Sequence, residues 1–376
     1  MTDCKPISGK KMFDALRDKD CIIMAVNTRY IPGVAEGILR AARDTNSPVL
    51  VEIARSECDL KGGYTGYTPK DFAKRIMKAA KKVGCSKWVL HADHISVKSG
   101  DAKTIKGTKE LVKAQIDAGF TSFAIDASHI FNFKGKNEKE ELEGNLKATI
   151  EIADLIKERM KEKGVKSYGL EVEVGEVGRK DDKGFLLTTA KQATTFIKEL
   201  NKADIHPQLL AIANGSTHGN IYDARGVKIE QVSIDIPRTK GIARSLRRLK
   251  LDVRIAQHGI TGTPLNLIAT EFPRGDVLKG NVGTFWQNIV WDVLKVYEID
   301  LYKKIRRWVL KTYAGKGKSD DEIFGKNSKY AFKHFFKEMH SIDKKTVKAM
   351  EAQAYASALM FFKAFNSIEK GKLVRG

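Results

Sequence analysis

Short apolar runs alternate along this chain with longer stretches whose apolar residues recur every three or four positions. The apolar runs fall at 21–26, 49–54, 88–92, 122–125, 168–174, 209–213, 253–257 and 277–282. Runs of this length and continuity suit parallel strands buried on both faces. Helical patterning fills the intervals at 33–45, 69–83, 108–118, 137–163, 190–201, a stretch near 240–249, and 286–313. Pro69, directly after Thr68, gives a proline at a first helical position behind a good N-cap. Eight strands with intervening helices predict an α/β chain folded as a (β/α)8 TIM barrel with a helical C-terminal extension. A dinucleotide-binding sheet is excluded, because the turn after the first strand reads Asn27-Thr28-Arg29-Tyr30 and lacks the glycine fingerprint.

The expected organisation is a catalytic barrel at 1–313, a linker or excursion at 314–328, and a helical extension at 329–376. The 314–328 segment is rich in Gly, Lys, Ser and Asp. The extension carries an apolar stripe of Ala354, Tyr355, Ala358, Leu359, Phe362 and Phe365, which suits packing on the barrel or on a neighbouring subunit.

Composition adds little to this picture. No run approaches the ~18 apolar residues of a membrane span, and the charged start, 1–11, has no signal-peptide core. The four cysteines, Cys4, Cys21, Cys58 and Cys85, form no C-x-x-C pair and read as free thiols of a reducing cytoplasm. The net charge of +21 permits anionic partners. The lysines are spread along helices without interleaved aromatics, so a solvated surface is expected and nucleic acid is not.

Chemistry concentrates at the strand ends, where barrels place their active sites. Strand three ends in His91-Ala92-Asp93-His94, strand four in Asp126-Ala127-Ser128-His129, and strand five carries Glu171 and Glu173. Strand six leads to His218-Gly219, strand seven to His258-Gly259-Ile260-Thr261-Gly262, and strand eight to Asn281-Val282-Gly283-Thr284. Five of the eight histidines therefore lie on one rim. Converging imidazoles with carboxylates nearby suit a Zn²⁺-like ion that keeps an open position for substrate. Five ligands are too many, and His91 lies deeper in its strand than His94, as a structural neighbour would. The glycines after strands six to eight offer backbone amides for a phosphate cradle.

In this order the motifs resemble the class II, metal-dependent ketose-bisphosphate aldolases, across roughly residues 10 to 300. The resemblance implies a metal held by His94, His218 and His258, with Glu173 as a carboxylate that ligates or swings away. It implies Asp93 as the acid/base at the C4 hydroxyl and Asp126 near a second-metal or substrate region. Gly219, Gly259 and Thr261 match the phosphate cradle, with a monovalent cation (Na⁺ or K⁺) bound nearby. Asn281 matches a substrate contact, and Asn27, Gly262, Gly283 and Thr284 complete the expected contacts. The family takes the C3 proton with a glutamate on the loop after strand five; here Asp182 or Asp181 stands on that loop.

The implied activity is reversible cleavage of fructose 1,6-bisphosphate to dihydroxyacetone phosphate and glyceraldehyde 3-phosphate. The implied metal is Zn²⁺, with Fe²⁺ or Co²⁺ accepting the same ligands, and the implied assembly is a homodimer or homotetramer. The alternatives are another phosphorylated ketose, such as tagatose bisphosphate, or a non-catalytic aldolase-like subunit. Gly62-Gly63-Tyr64-Thr65-Gly66-Tyr67-Thr68-Pro69 resembles such a subunit, whereas the rim histidines argue for activity. A Schiff-base mechanism needs a desolvated lysine on a strand, and only Lys279 offers one.

The chain also departs from the family. After strand eight the family has Asn-x-Asp-Thr-Asp, and both carboxylates are lost here at Gly283 and Phe285. Ala54 replaces a serine, leaving Arg55 as a substitute anion binder. The segment matching the family's arginine for the distal phosphate, lent by a neighbouring subunit, offers Lys333 and His334.

Overall fold

The computed structural model describes residues 4–182, 184–315 and 317–374. Eight parallel strands close into a barrel in sequence order. They are β1 (Ile23–Val26), β2 (Val49–Ala54), β3 (Trp88–Ser96), β4 (Ser122–Asp126), β5 (Gly169–Glu173), β6 (Leu209–Ala211), β7 (Arg254–Gln257) and β8 (Val277–Val282). Almost every strand residue is buried, because the outer face meets helices and the inner face fills the barrel. Alternation along each strand sorts the interior into layers. Ile23, Leu50, Val89 and Leu209 form an apolar layer near the bottom, with Met12, Phe13 and Leu16 packed beneath it. Two residues further along their strands come Glu52 and His91, then Ala54 and Asp93 at the rim.

The apolar residues beneath the barrel belong to α1 (Gly9–Leu16), which starts at the Ser8 N-cap and was not expected from the charged N-terminus. A Cβ on Gly9 would lie 2.6 Å from Ser122 Cβ, so the helix seats directly on the barrel.

Two expectations are corrected. The pattern at 286–313 is two helices, Thr284–Tyr297 and Ile299–Thr312, broken at Glu298, whose carboxylate accepts from Asp343 N and Thr346 Oγ1. The 314–328 segment contains a helix, Asp320–Asn327, capped by Ser319 and anchored by buried Ile323 and Phe324. Phe324 packs against Trp291 at 5.6 Å between ring centroids. The long helix Lys344–Ala364 packs along Val34–Asp44 of the same chain, where Gly33 and Gly37 permit backbone approach. Arg40 and Glu351 pair across that contact at 2.8 Å. No helix among the described residues is long and apolar enough to cross a membrane. Cys21, Cys58 and Cys85 are buried free thiols. Residues 1–3 and 375–376 of the expected outer segments lie outside the described residues.

Candidate metal centre and active site

The ladder between β3 and β4 shifts register between Ala92 and Ile95. A bulge at a barrel rim re-aims the side chains beside it. His94, at this break, has φ +39°, a backbone strain that surrounding structure must hold in place. Its ring lies 4.5 Å from that of His258 and 5.1 Å from that of His218. One nitrogen of each of the three imidazoles lies within 4.8 Å of the others, as one cation requires. A second group, His94, Asp126 and Glu173, meets the same criterion.

The hydrogen bonding fits a cation. His258 donates Nε2–H to Glu171 Oε1 at 2.7 Å. That fixes the tautomer and leaves Nδ1 as an acceptor, the arrangement seen when a carboxylate orients a metal-binding histidine. This Nδ1 is buried and has no hydrogen-bond partner among the described residues. His94 Nδ1 sits 3.4 Å from Glu173 and 3.5 Å from Asp126. Burial opposes charge on His94, but Asp93, Glu173 and the hydrogen bond with Asp126 outweigh it and raise its pKa well above the usual imidazole range. The site is therefore built for a positive charge, supplied by a proton or by a metal. Enclosure in the cavity, then His94 and His258, push His218 down to about 3, although its outer edge meets solvent. A neutral imidazole is the form that ligates.

Asp93 faces the same space. Asn281 Nδ2 donates to its Oδ1 at 3.2 Å, and Lys279 Nζ lies 3.5 Å away. Burial disfavours its charge, yet His94, Lys279 and His258 hold it below the usual carboxylate range. Lys279 is fully buried. Its ammonium donates to Glu171 at 2.7 Å and to His91 Nε2 at 3.1 Å, and ion-pairs with Glu52 at 3.1 Å without a hydrogen bond. These carboxylates, Glu171 first, outweigh burial and raise its pKa, so it is not a free amine and supports no Schiff-base reading. His91 belongs to this network: its Nε2 accepts from Lys279, so its Nδ1–H donates to Ser122 Oγ, 2.8 Å away.

A cavity of about 610 Å³ opens above the cluster. It is lined by Asn27, Asp93, His94, Asp126, Glu173, His218, Gly219, Gly259, Thr261, Asn281, Gly283 and Thr284. Gly259 has φ +66°, and a Cβ there would lie 2.5 Å from Thr217 O, so only glycine fits beside His258. Its carbonyl accepts from Gln231 Nε2 and is thereby engaged. Thr284 begins the helix Thr284–Tyr297, whose amino end points at this region. Gly262 does not line the cavity; its φ of +88° shapes the turn, and its carbonyl accepts from Gln231 N.

Several expected residues stand elsewhere. Asp181 and Asp182 lie on an exposed hairpin, Lys180–Asp181 with Gly184–Phe185, outside the cavity; Lys183 at its tip is outside the described residues. The cavity carboxylate of that loop is Glu176, 3.5 Å from His129 and 2.9 Å from Arg179. Arg55 is turned away, donating to Ser96 O and Thr108 Oγ1. Lys333 donates to Lys61 O, and His334 stacks on Trp308 at 4.2 Å. Among the described residues, the lysines and arginines that line the cavity are Arg29, Lys326 and Lys329. No sequence motif marked them; only the fold brings them to the rim.

Three imidazoles and buried carboxylates thus meet at the mouth of a barrel, a setting that suits a catalytic metal ion. The family model described as fructose-bisphosphate aldolase class-II matches residues 7–367. The chain therefore belongs to the class II fructose-bisphosphate aldolase family, whose members are metal-dependent. A fructose-bisphosphate aldolase from Campylobacter jejuni superposes with a TM-score of 0.60 at 20% identity, covering 97% of both chains. A Sinorhizobium meliloti protein described as a probable tagatose 6 phosphate kinase gives 0.61 at 15%, covering 94% of this chain and 99% of that one. At these identities the likeness is one of fold. A D-tagatose-1,6-bisphosphate aldolase subunit from Escherichia coli is 36% identical over 104 residues, 26% of this chain. The chain spans about a quarter, 24%, of that curated relative's length.

Proposed function

We propose that the protein catalyses reversible aldol cleavage of fructose 1,6-bisphosphate to dihydroxyacetone phosphate and glyceraldehyde 3-phosphate. The observation that carries this reading is the meeting of His94, His218 and His258 beside ionised Asp93, below a glycine-lined end of the same cavity. The imidazoles would hold a divalent ion, Zn²⁺ first with Fe²⁺ and Co²⁺ as chemical equals. When bound, it supplies Lewis-acid polarisation of the substrate ketone. Asp93 accepts the C4 hydroxyl proton, held in position by Asn281 and Lys279. Glu176, the carboxylate of the β5 loop that reaches the cavity, takes the C3 proton in the condensation direction. Gly219, Gly259, Thr261 and the amino end of helix Thr284–Tyr297 receive the C1 phosphate.

Purified protein is expected to release triose phosphates from fructose 1,6-bisphosphate and to lose that activity in a chelator. Turnover unchanged by full metal removal would sink the mechanism. Tagatose 1,6-bisphosphate is the second reading, favoured by the 104-residue match to a tagatose-bisphosphate aldolase subunit. Comparing kcat/KM for fructose and tagatose 1,6-bisphosphates, which are C4 epimers, separates the two. The exposed apolar residues Val296, Tyr297 and Ile299 support assembly as a homodimer or homotetramer, checked by light scattering. Operation in the cytoplasm is part of the same reading, supported by the buried free thiols Cys21, Cys58 and Cys85.

A further inference from the structure

The three imidazoles of the candidate metal centre are not supported alike. His94 lies within β3 and His258 follows β7 directly, but His218 stands on a loop well beyond Ala211, the end of β6. Glu171 grips the His258 ring from behind, whereas no hydrogen bond to the His218 ring is found among the described residues. The place of His218 is therefore set through its backbone.

That backbone is tied down by one side chain. Gln231 Oε1 accepts from Thr217 N at 2.8 Å and from Thr217 Oγ1 at 2.9 Å. Gln231 Nε2 donates to Gly259 O and, at 3.2 Å, to Thr263 Oγ1. A single amide thus joins the residue before His218 to the residue after His258. Its orientation is dictated: Thr217 N can only donate and Gly259 O can only accept, so the oxygen must face the first and the nitrogen the second. Both acceptor positions of the oxygen and both hydrogens of the nitrogen are used. Gln231 is 0% exposed, and its backbone N donates to Gly262 O at 2.9 Å. The segment that carries it is laced to the same loop, with Ser233 Oγ donating to Gly215 O at 2.7 Å and Asp235 N to Asn214 O at 2.8 Å. A buried polar group with every bond made fixes one arrangement of its surroundings.

We infer that Gln231 is a positioning residue for the metal centre, its side-chain amide fixing the spacing between the His218 and His258 backbones so that the third imidazole meets the same cation as the other two. Gln231 does not line the cavity, and acts from behind it. The inference rests on the reading that His94, His218 and His258 hold a divalent ion, and extends it to a residue that the metal does not touch.

The test needs no substrate. The full chain, stripped of metal, is titrated with Zn²⁺ against a chelating dye, and its Co²⁺-loaded form is read by visible absorption. Gln231→Leu should lower Zn²⁺ affinity roughly 10–100-fold, the range for groups that orient metal ligands. It should also weaken the Co²⁺ bands, as the His218 ring leaves the ion and water replaces it. Gln231→Glu has the same shape and keeps the acceptor facing Thr217, but turns an oxygen onto Gly259 O, so it should weaken binding too. Thr217→Val should cost several-fold, and Thr217→Ser, which keeps the hydroxyl, should match wild type. In a His218→Ala background Gln231→Leu should cause no further loss, because it acts through that ring. Should Gln231→Leu fail to fold, Gln231→Glu and Thr217→Val carry the same test. Unchanged affinity and spectrum in the Gln231 variants would overturn the inference and leave the metal centre standing. A loss of the same size with and without His218 would overturn it as well, being the mark of general destabilisation. If wild type binds neither Zn²⁺ nor Co²⁺, the metal-centre reading falls and this inference falls with it.

Discussion

The metal-facing wall of the cavity comes from strands that adjoin one another around the barrel, whereas the cationic wall joins Arg29 to Lys326 and Lys329, near opposite ends of the chain. On the first wall, each group is gripped from behind. His258 is held by Glu171, Glu171 by Lys279, and Asp93 by Asn281 and Lys279. On the second wall, Arg29 is fixed but Lys329 rests on aromatic faces and on a short helix anchored by two buried apolar residues. The metal-facing groups thus stand on or beside strands, which hold side chains more firmly, and two of the cavity's lysines stand on a segment that folds back over the mouth.

The largest expected effect strikes the first wall. His218→Ala removes one of three imidazoles, and turnover should fall further than the roughly 10–100-fold that follows loss of a group merely hydrogen-bonded to a ligand. Elemental analysis should show metal lost in parallel. Retained metal with retained turnover would mean that His218 is no ligand. Next is Lys279→Met, which leaves Glu52, Glu171 and Asp93 buried around a missing cation. Breaking a buried ion network from one side should cost roughly 3–5 kcal/mol in urea unfolding. Lys329→Gln, with no carboxylate partner to strand, should change stability by less than about 1 kcal/mol.

The loop after β5 tests whether proximity or family order identifies the second acid/base. Glu176→Gln should slow exchange of the C3 proton of dihydroxyacetone phosphate by about 10²-fold. Asp182→Asn and Asp181→Asn should leave it nearly unchanged, because both stand on the exposed hairpin. Tritium exchange measures each variant. The reverse result would show that the hairpin closes over bound substrate and brings an aspartate in.

The strands were legible because burial on both faces writes itself as continuous apolar runs, and β2 and β8 match their runs residue for residue. The rim histidines were legible because strand ends are local in sequence. The bulge at His94 was not, since it arises from the register with β4. The helix Asp320–Asn327 was hidden because Ile323 and Phe324 are its only buried anchors in a run of charged and small residues. The signal that could have found it was Ser319 followed by Asp320, Asp321 and Glu322, a capped and acidic first turn. Arg29 and Lys329 could not be paired from sequence by any local pattern, because their meeting depends on the closure of the barrel and the return of the C-terminal segment.

The smallest predicted effect probes that return. Ser319 Oγ accepts from Glu322 N at 3.2 Å and donates to Gly226 O at 3.0 Å, tying the start of the helix to the turn between the paired segments Ile221–Tyr222 and Lys228–Ile229. Ser319→Ala removes both contacts, at a cost of about 1 kcal/mol for the cap. The strand wall is untouched, so metal content should be unchanged. The helix that carries Lys326 and precedes Lys329 should loosen, raising KM for the bisphosphate by several-fold while kcat stays near wild type. A fall in kcat with constant KM would instead couple this segment to the chemical step, and would erase the distinction between the strand wall and the wall that folds back over the mouth.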